Sequence, residues 1–124
     1  MATIKSYTDI NQSRKLTKIL HFESADMIWA NDNDVIVVPY DMATRENVLH
    51  DFIPCWSLAA LLGVLPMITK DEDTANPFIA KASDNEYYVV YATLTKEIDS
   101  SDIYDNPVDA CVEMIEKLHE LNLL

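Results

Sequence analysis

Glycine is almost absent from this sequence, since Gly63 is the only one among 124 residues. Average usage would give about nine in a chain of this length. Phosphate-binding loops and dinucleotide-binding turns need several glycines, because their backbone must approach the ligand closely. The scarcity of glycine therefore argues against a P-loop protein and against a dinucleotide-binding fold.

Positive charge is also scarce, because nine Lys and Arg residues face 21 Asp and Glu residues, which gives a net charge of −12. Such a surface repels phosphate groups, so we expect no direct binding to nucleic acid and none to anionic lipid. Four of the nine basic residues fall within residues 1–20. A basic first helix could pair with its own domain or with a second copy of the chain.

Long apolar runs are missing as well. No segment approaches the 18 or more apolar residues of a membrane-spanning helix, and the N-terminal "MATIKSYTDINQS" lacks the apolar core of a secretory signal. The two cysteines, Cys55 and Cys111, make no disulfide framework. These features predict a cytoplasmic protein with reduced thiols and no membrane partner.

The composition is that of one globular domain over residues 1–124, with 49% hydrophobic and 24% charged residues. We expect an α+β fold, in which a mostly antiparallel sheet of about four strands packs with three helices. The predicted order is α-β-β-α-β-β-(β)-α. The patterns place helices at 10–20, 58–65 and from 107 onward, a loop at 41–52, and strands at 27–29, 35–38, 78–82, 87–94 and near 98–104.

The most distinctive segment is "IPCWSLAALLGVLP", residues 53–66. Ser57 is a good helix N-cap, and Trp56 and Leu61 have the spacing of a hydrophobic staple. Because the helix would be apolar all round, we predict that it is buried on most sides in the core. Its expected core residues are Trp56, Leu58, Leu61, Leu62 and Leu65.

Two further helices carry capping signals. Asp9, with Gln12 three residues on, predicts a capping box at the first helix. Asn106 followed by Pro107 predicts the start of the last helix. Glu113 and Lys117 could pair on its outer side. Its expected buried stripe consists of Val108, Cys111, Val112, Ile115 and Leu118.

Catalytic candidates are few. Cys55 could be a nucleophile if His50, five residues earlier, supplied a base. The preferred interpretation is a buried, inert cysteine, because free cysteine is among the most buried residue types. We therefore expect no catalytic residue. The aromatic residues could line a pocket, although they are more typical of core and cross-strand packing: Trp29, Trp56, Tyr87, Tyr88 and Tyr91.

Metal and cofactor signals are also weak. The three histidines do not pair with cysteines at metal-ligand spacing, and the Asn and Asp residues at 31–34 lack the glycine and closing glutamate of a calcium loop. The acidic run at 71–73 could form a weak cation patch, but it is typical of a solvated loop. We expect neither a metal nor a cofactor.

Three motifs, "SYTDINQSRKL", "IPCWSLAALLGVLP" and "NPVDACVEMIEKLHELNLL", cover about a third of the chain. In this order they resemble a large group of short, uncharacterised proteins encoded by gut anaerobic bacteria, often in mobile elements. The group has no established activity, cofactor or catalytic residue. The resemblance therefore implies only a retained scaffold with a variable sheet and loop surface.

Our leading functional hypothesis is a non-enzymatic accessory module that binds a protein partner through a variable acidic surface. One version is an acidic mimic of nucleic acid that occupies a basic site, whose binding should weaken with salt. The alternative is a small enzyme with a thiol site at Cys55 and His50. Because the apolar helix at 58–65 and the strand at 87–94, apolar on both faces, need more cover than three short helices provide, we also expect a homodimer.

Overall fold

The computed structural model describes residues 5–38, 42–70, 72–94 and 96–124. Within these ranges the chain forms four α-helices and seven strands, and the predicted α+β class is confirmed. The helices are α1 (Ile10–Leu16), α2 (Met42–Asp51), α3 (Leu58–Val64) and α4 (Pro107–Glu120), with a 3-10 helix at Phe22–Ser24. The strands are β1 (Met27–Trp29), β2 (Val35–Val37), β3 (Ile53–Cys55), β4 (Ile68–Lys70), β5 (Asp73–Ser83), β6 (Glu86–Ala92) and β7 (Glu97–Ser100).

The strands form two antiparallel sheets, whereas we expected one sheet of about four strands. The first has the order β2-β1-β3, and Ile28 of β1 lies between Ile36 and Pro54. The second has the order β4-β5-β6-β7. The predicted hairpin of β1 and β2 is present. Strands β3 and β4 were not predicted, because Pro54 interrupts the strand pattern of β3 and the acidic run at 71–73 follows β4.

Two helix predictions were wrong. Helix α1 ends at Leu16 instead of residue 20, because the following turn is held by i→i+3 bonds and Thr17 Oγ1 donates to Arg14 O. The segment expected to be a loop at 41–52 contains α2. This helix lacks an apolar stripe and is held instead by tertiary contacts, since Arg45 donates to the carbonyl oxygens of Glu23 and Ala25.

Helix α4 is the central helix of the core. Asn106 Oδ1 accepts the Asp109 N–H at 2.8 Å at its start. The five residues of the expected stripe are all buried, together with Ala110 and Met114. The expected pair of Glu113 with Lys117 is replaced by contacts to the β7 segment, because Lys117 Nζ lies 3.0 Å from Asp99 Oδ1 and Glu113 accepts the Asp102 N–H.

The prediction that α3 is buried on most sides was wrong. It is seven residues long and packs against α4 and the 3-10 helix, so only one of its sides is covered. Leu61 is fully buried and Leu65, just past the end, is buried, but Leu58 is only half-buried. Leu62, expected in the core, is 36% exposed. Among the described residues, no helix has both the length and the apolar character needed to cross a bilayer.

Candidate functional site

Cys55 lies at the end of β3 and has no exposed surface. Its Sγ donates to Thr8 O at 3.4 Å and accepts from Thr8 Oγ1 at 3.6 Å. Thr8 Oγ1 in turn shares a hydrogen bond of 2.8 Å with Ser13 Oγ. Burial raises the pKa of the Cys55 thiol, which opposes formation of the nucleophilic thiolate. The thiol therefore belongs to a buried polar network that ties residue 8 to the core.

The two tryptophans complete this network. Trp29 Nε1 donates to Ser13 Oγ at 3.1 Å, and the Trp56 N–H donates to Thr8 Oγ1 at 3.2 Å. The Trp56 indole is fully buried, and its Nε1 donates to Ser24 Oγ at 2.9 Å. With their polar atoms bonded inside the fold, both tryptophans serve packing.

His50 lies away from this network. It sits in the last turn of α2, is exposed, and its ring centroid is 4.5 Å from that of Phe22. No hydrogen bond joins the described side chains of His50 and Cys55. The structure therefore does not place Cys55 and His50 in a common site. Cys111 on α4 is fully buried too, and burial raises its pKa to about 12.

The acidic turn between β1 and β2 is closed by its own side chains. Asn31 Oδ1 accepts the N–H groups of Asn33 and Asp34, and Asn31 Nδ2 donates to Asp34 Oδ2 at 2.7 Å. These are the contacts of an Asx turn. Throughout the part of the chain that the structure describes, no group of three His, Cys, Asp or Glu residues could hold a metal ion. Residue 71 of the acidic run lies outside the described residues.

A different feature marks the surface, and we call it the uncharged face. It consists of Ala59, Leu62 and Gly63, which are the exposed residues of α3, and of Met67 just beyond the helix, which is 70% exposed. Residues 52–69 contain no Asp, Glu, Lys, Arg or His, although 24% of the chain is charged. Contiguous exposed apolar patches mark interaction sites on proteins, so we take the uncharged face as the candidate interaction site.

Gly63 has no explanation within the fold. It does not have a positive φ angle, and a Cβ atom added to it would meet nothing within 4 Å. A glycine inside a helix costs about 1 kcal/mol relative to alanine. Neither backbone conformation nor internal packing therefore requires the only glycine of this chain at this position.

The start of α3 is firmly fixed, so the uncharged face has a defined orientation. Ser57 Oγ accepts the Ala60 N–H at 3.2 Å, which is the expected N-cap. Ser57 also donates twice to the Asp26 carboxylate, from its N–H to Oδ1 at 2.9 Å and from its hydroxyl to Oδ2. The carboxylate thereby connects the helix start to the residue that precedes β1.

No protein-family model, no curated protein and no solved structure matches this chain. The resemblance to the short proteins of gut anaerobes therefore stays a prediction. Sequence reasoning singled out residues 53–66 but assigned the whole helix to the core. The run without charged residues at 52–69 was a signal for the uncharged face. Which side of α3 faces outward, however, depends on how this helix packs against α4.

Proposed function

We propose that this protein is a non-enzymatic protein-interaction module and that it binds through the uncharged face of α3. The observation that carries the proposal is the exposure of Ala59, Leu62, Gly63 and Met67 on a chain with a net charge of −12. None of these four residues carries a charge, so their own burial has no charge-desolvation cost, which is the costly part of burying an acidic surface.

Gly63 adds a steric argument. Ala59 and Gly63 are four residues apart on the exposed side of α3, so a partner's backbone can approach the helix closely there. A larger residue at position 63 would hold the partner away. The stability that glycine costs the isolated helix is offset when a partner packs against this position.

The partner we propose is a second copy of the chain. Two acidic proteins repel each other wherever carboxylates meet, and the residues of the uncharged face bring no carboxylate of their own to the contact. A two-fold arrangement places α3 of one copy against α3 of the other, with the same residues on both sides. Because seven residues of helix span only about 10 Å, we expect a small interface and a reversible dimer.

Sedimentation equilibrium over a concentration series tests this proposal. We expect a monomer–dimer equilibrium for the native chain and a monomer for Leu62→Glu, which places a carboxylate in each half of the interface. Ile103→Glu is the matched control, because Ile103 is an exposed apolar residue outside the uncharged face and should leave association unchanged. A monomeric native chain, or equal association of both variants, would refute the proposal.

The salt dependence distinguishes this dimer from a second candidate function, the acidic mimic of nucleic acid. That candidate is favoured by the net charge of −12, because a strongly acidic surface can attract a basic protein. Salt screens repulsion between two acidic copies, so it should strengthen the dimer, whereas it should weaken binding of a basic protein to the acidic surface.

A pull-down from host lysate, washed at low and high salt and read by mass spectrometry, tests the mimic. We expect a basic protein that is retained only at low salt, and a partner that survives high salt would contradict this candidate.

We further propose a cytoplasmic location, supported by the free thiols of Cys55 and Cys111. Cell fractionation tests it, and recovery outside the cytoplasm would contradict it.

A further inference from the structure

An apolar cleft of about 300 Å³ lies on one face of the four-stranded sheet, beside the end of α4. Its walls come from both edge strands of the sheet, from β6 and from the turn after α4. The volume is at the lower end of the range for small-molecule sites, roughly 300–1,000 Å³. The lining residues are Ile68, Thr69, Tyr91, Ile98, Asp99, Leu118, Leu121 and Leu123.

Tyr91 gives the cleft a rigid, neutral wall. The residue is fully buried, and its hydroxyl donates to Pro66 O at 2.7 Å, so the donor is already used. Burial raises the pKa of its phenol to about 12, which keeps the group uncharged at neutral pH. The buried ring therefore supports the base of the cleft, and its hydroxyl is held in place by Pro66.

A helix C-cap folds two leucines towards the cleft. Asn122 has a φ of 58°, and its N–H donates to His119 O, while the Leu123 N–H donates to Leu118 O. This is a Schellman motif, which turns the chain back on the last helical turn. Leu121 and Leu123 nevertheless remain 55% and 46% exposed. Both therefore offer apolar surface that an apolar ligand could cover.

Asp99 is the one charged residue of the lining, and its charge is already balanced. Its Oδ1 accepts from Lys117 Nζ at 3.0 Å and from the Ser100 N–H at 2.8 Å. Its Oδ2 accepts no hydrogen bond from the described residues. The cleft therefore combines apolar walls, which disfavour the burial of a charged ligand, with one acceptor oxygen on a carboxylate that already pairs with Lys117.

We propose that this cleft is a binding site for a small, neutral, apolar molecule with one hydrogen-bond donor, namely an aliphatic alcohol or a molecule of the same chemistry. Its apolar body covers Leu121 and Leu123, and its hydroxyl donates to Asp99 Oδ2. The site shares no residue with the uncharged face of α3. Ile68 of the cleft directly follows Met67 of the uncharged face, so the two sites adjoin along the chain.

Titration of the full chain with 1-hexanol, followed in ¹H–¹⁵N spectra, tests the site. We expect saturable shifts at the backbone amides of residues 68–69, 98–99 and 118–123. Methyl pentyl ether has the same size without the donor, and hexanoate and hexylamine carry a charge. Each should bind at least about tenfold more weakly, the equivalent of about 1.4 kcal/mol. Equal binding of the ether would refute the assigned hydrogen bond.

The matched variants are Leu121→Glu, which places a charge at the cleft, and Leu94→Glu, which changes a fully exposed leucine outside it. We expect loss of hexanol binding only in Leu121→Glu. Leu121→Gln tests the same position without a charge, should the first variant alter the native spectrum. Shifts that do not saturate, that spread over other exposed leucines, or that persist in both Leu121 variants would overturn the proposal.

Discussion

Lys5 Nζ lies 2.9 Å from Asp109 Oδ1, although 104 residues separate the two along the chain. The same oxygen accepts from Gln12 Nε2 at 2.7 Å. Lys5 also contacts Asp9, the N-cap of α1, at 3.0 Å. One cation thereby joins the start of α1 to the first turn of α4, where a carboxylate also suits the helix dipole.

This network predicts a loss of stability in acid. Burial alone would raise the pKa of Asp109, but hydrogen bonds from Lys5, Asn106 and Gln12 hold it below the ordinary value of 3.8. A lowered folded-state pKa contributes stability above the unfolded pKa, which is lost as the pH falls through the folded value. We expect urea unfolding to show a stability decrease below about pH 4 that is smaller in Asp109→Asn. If Asp109→Asn lost as much stability in acid as the native chain, Asp109 would not be the cause of the loss.

The same contacts predict a second loss of stability in alkali. Burial lowers the pKa of Lys5, but the hydrogen bonds and charges of Asp109 and Asp9 raise it overall, above 10.5. A raised pKa contributes stability below the unfolded value, which is lost as the pH rises through the folded value. Lys5→Met should lower stability at neutral pH by about 1 kcal/mol, given its partial exposure. In this variant the free energy of unfolding should fall less steeply as the pH rises in the alkaline range. An unchanged fall would exclude Lys5 as its cause.

Both thiols should be unreactive in the native state. Cys55 and Cys111 are fully buried, and burial raises the pKa of each. Alkylation then requires opening of the fold, so iodoacetamide should react at least about a thousandfold more slowly than in denaturant. Mass spectrometry of each cysteine over time measures this. Fast native labelling of Cys55 would restore the hypothesis of a thiol enzyme.

Ser57→Ala should destabilise the protein by about 1–2 kcal/mol, because it removes the N-cap of α3 and one hydrogen bond to Asp26. Ser57→Thr keeps the hydroxyl and is the matched control. Urea unfolding of the three proteins measures the difference. An alanine variant as stable as the threonine variant would show that the cap contributes little.

Gly63→Ala should raise the free energy of unfolding of the monomer by about 0.5–1 kcal/mol, because the added methyl group meets open space in a helix. Thermal unfolding at low protein concentration measures this gain. Gly63→Leu should fold as well but should associate less, since its side chain holds a partner away. A destabilised Gly63→Ala variant would reveal an internal reason for the glycine.

The helix starts were predictable because their signals are local. Asp9, Ser57 and Asn106 each lie next to the backbone groups that they cap. The hairpin of β1 and β2 was predictable from the turn residues at 31–34, but no local signal shows that β3 pairs with β1 or that β4 pairs with β5, so the division into two sheets was not predictable. Helix α2 was missed because its contacts come from carbonyl oxygens more than 15 residues away, at Glu23 and Ala25.

The two proposed sites also differ in how far they can be predicted from the sequence. The uncharged face lies within one continuous segment, and its lack of charge can be read from the sequence. The exposure of Leu62 depends on which side of α3 meets α4, and no local pattern fixes this. The cleft combines residues from β4, β6, β7 and the C-cap of α4, so only the folded chain brings Ile68, Asp99 and Leu121 together.

The most direct measurement of the central claim is an isotope-filtered NOE experiment on an equimolar mixture of labelled and unlabelled chains. If two copies meet through the uncharged face, the methyl groups of Leu62 and Met67 should show NOEs between copies. The NOEs of the Met67 methyl group, which Leu62→Glu retains, should disappear in that variant, and the NOEs of both residues should persist in Ile103→Glu. The absence of any NOE between copies at concentrations where the chain associates, or NOEs confined to other surfaces, would contradict the claim.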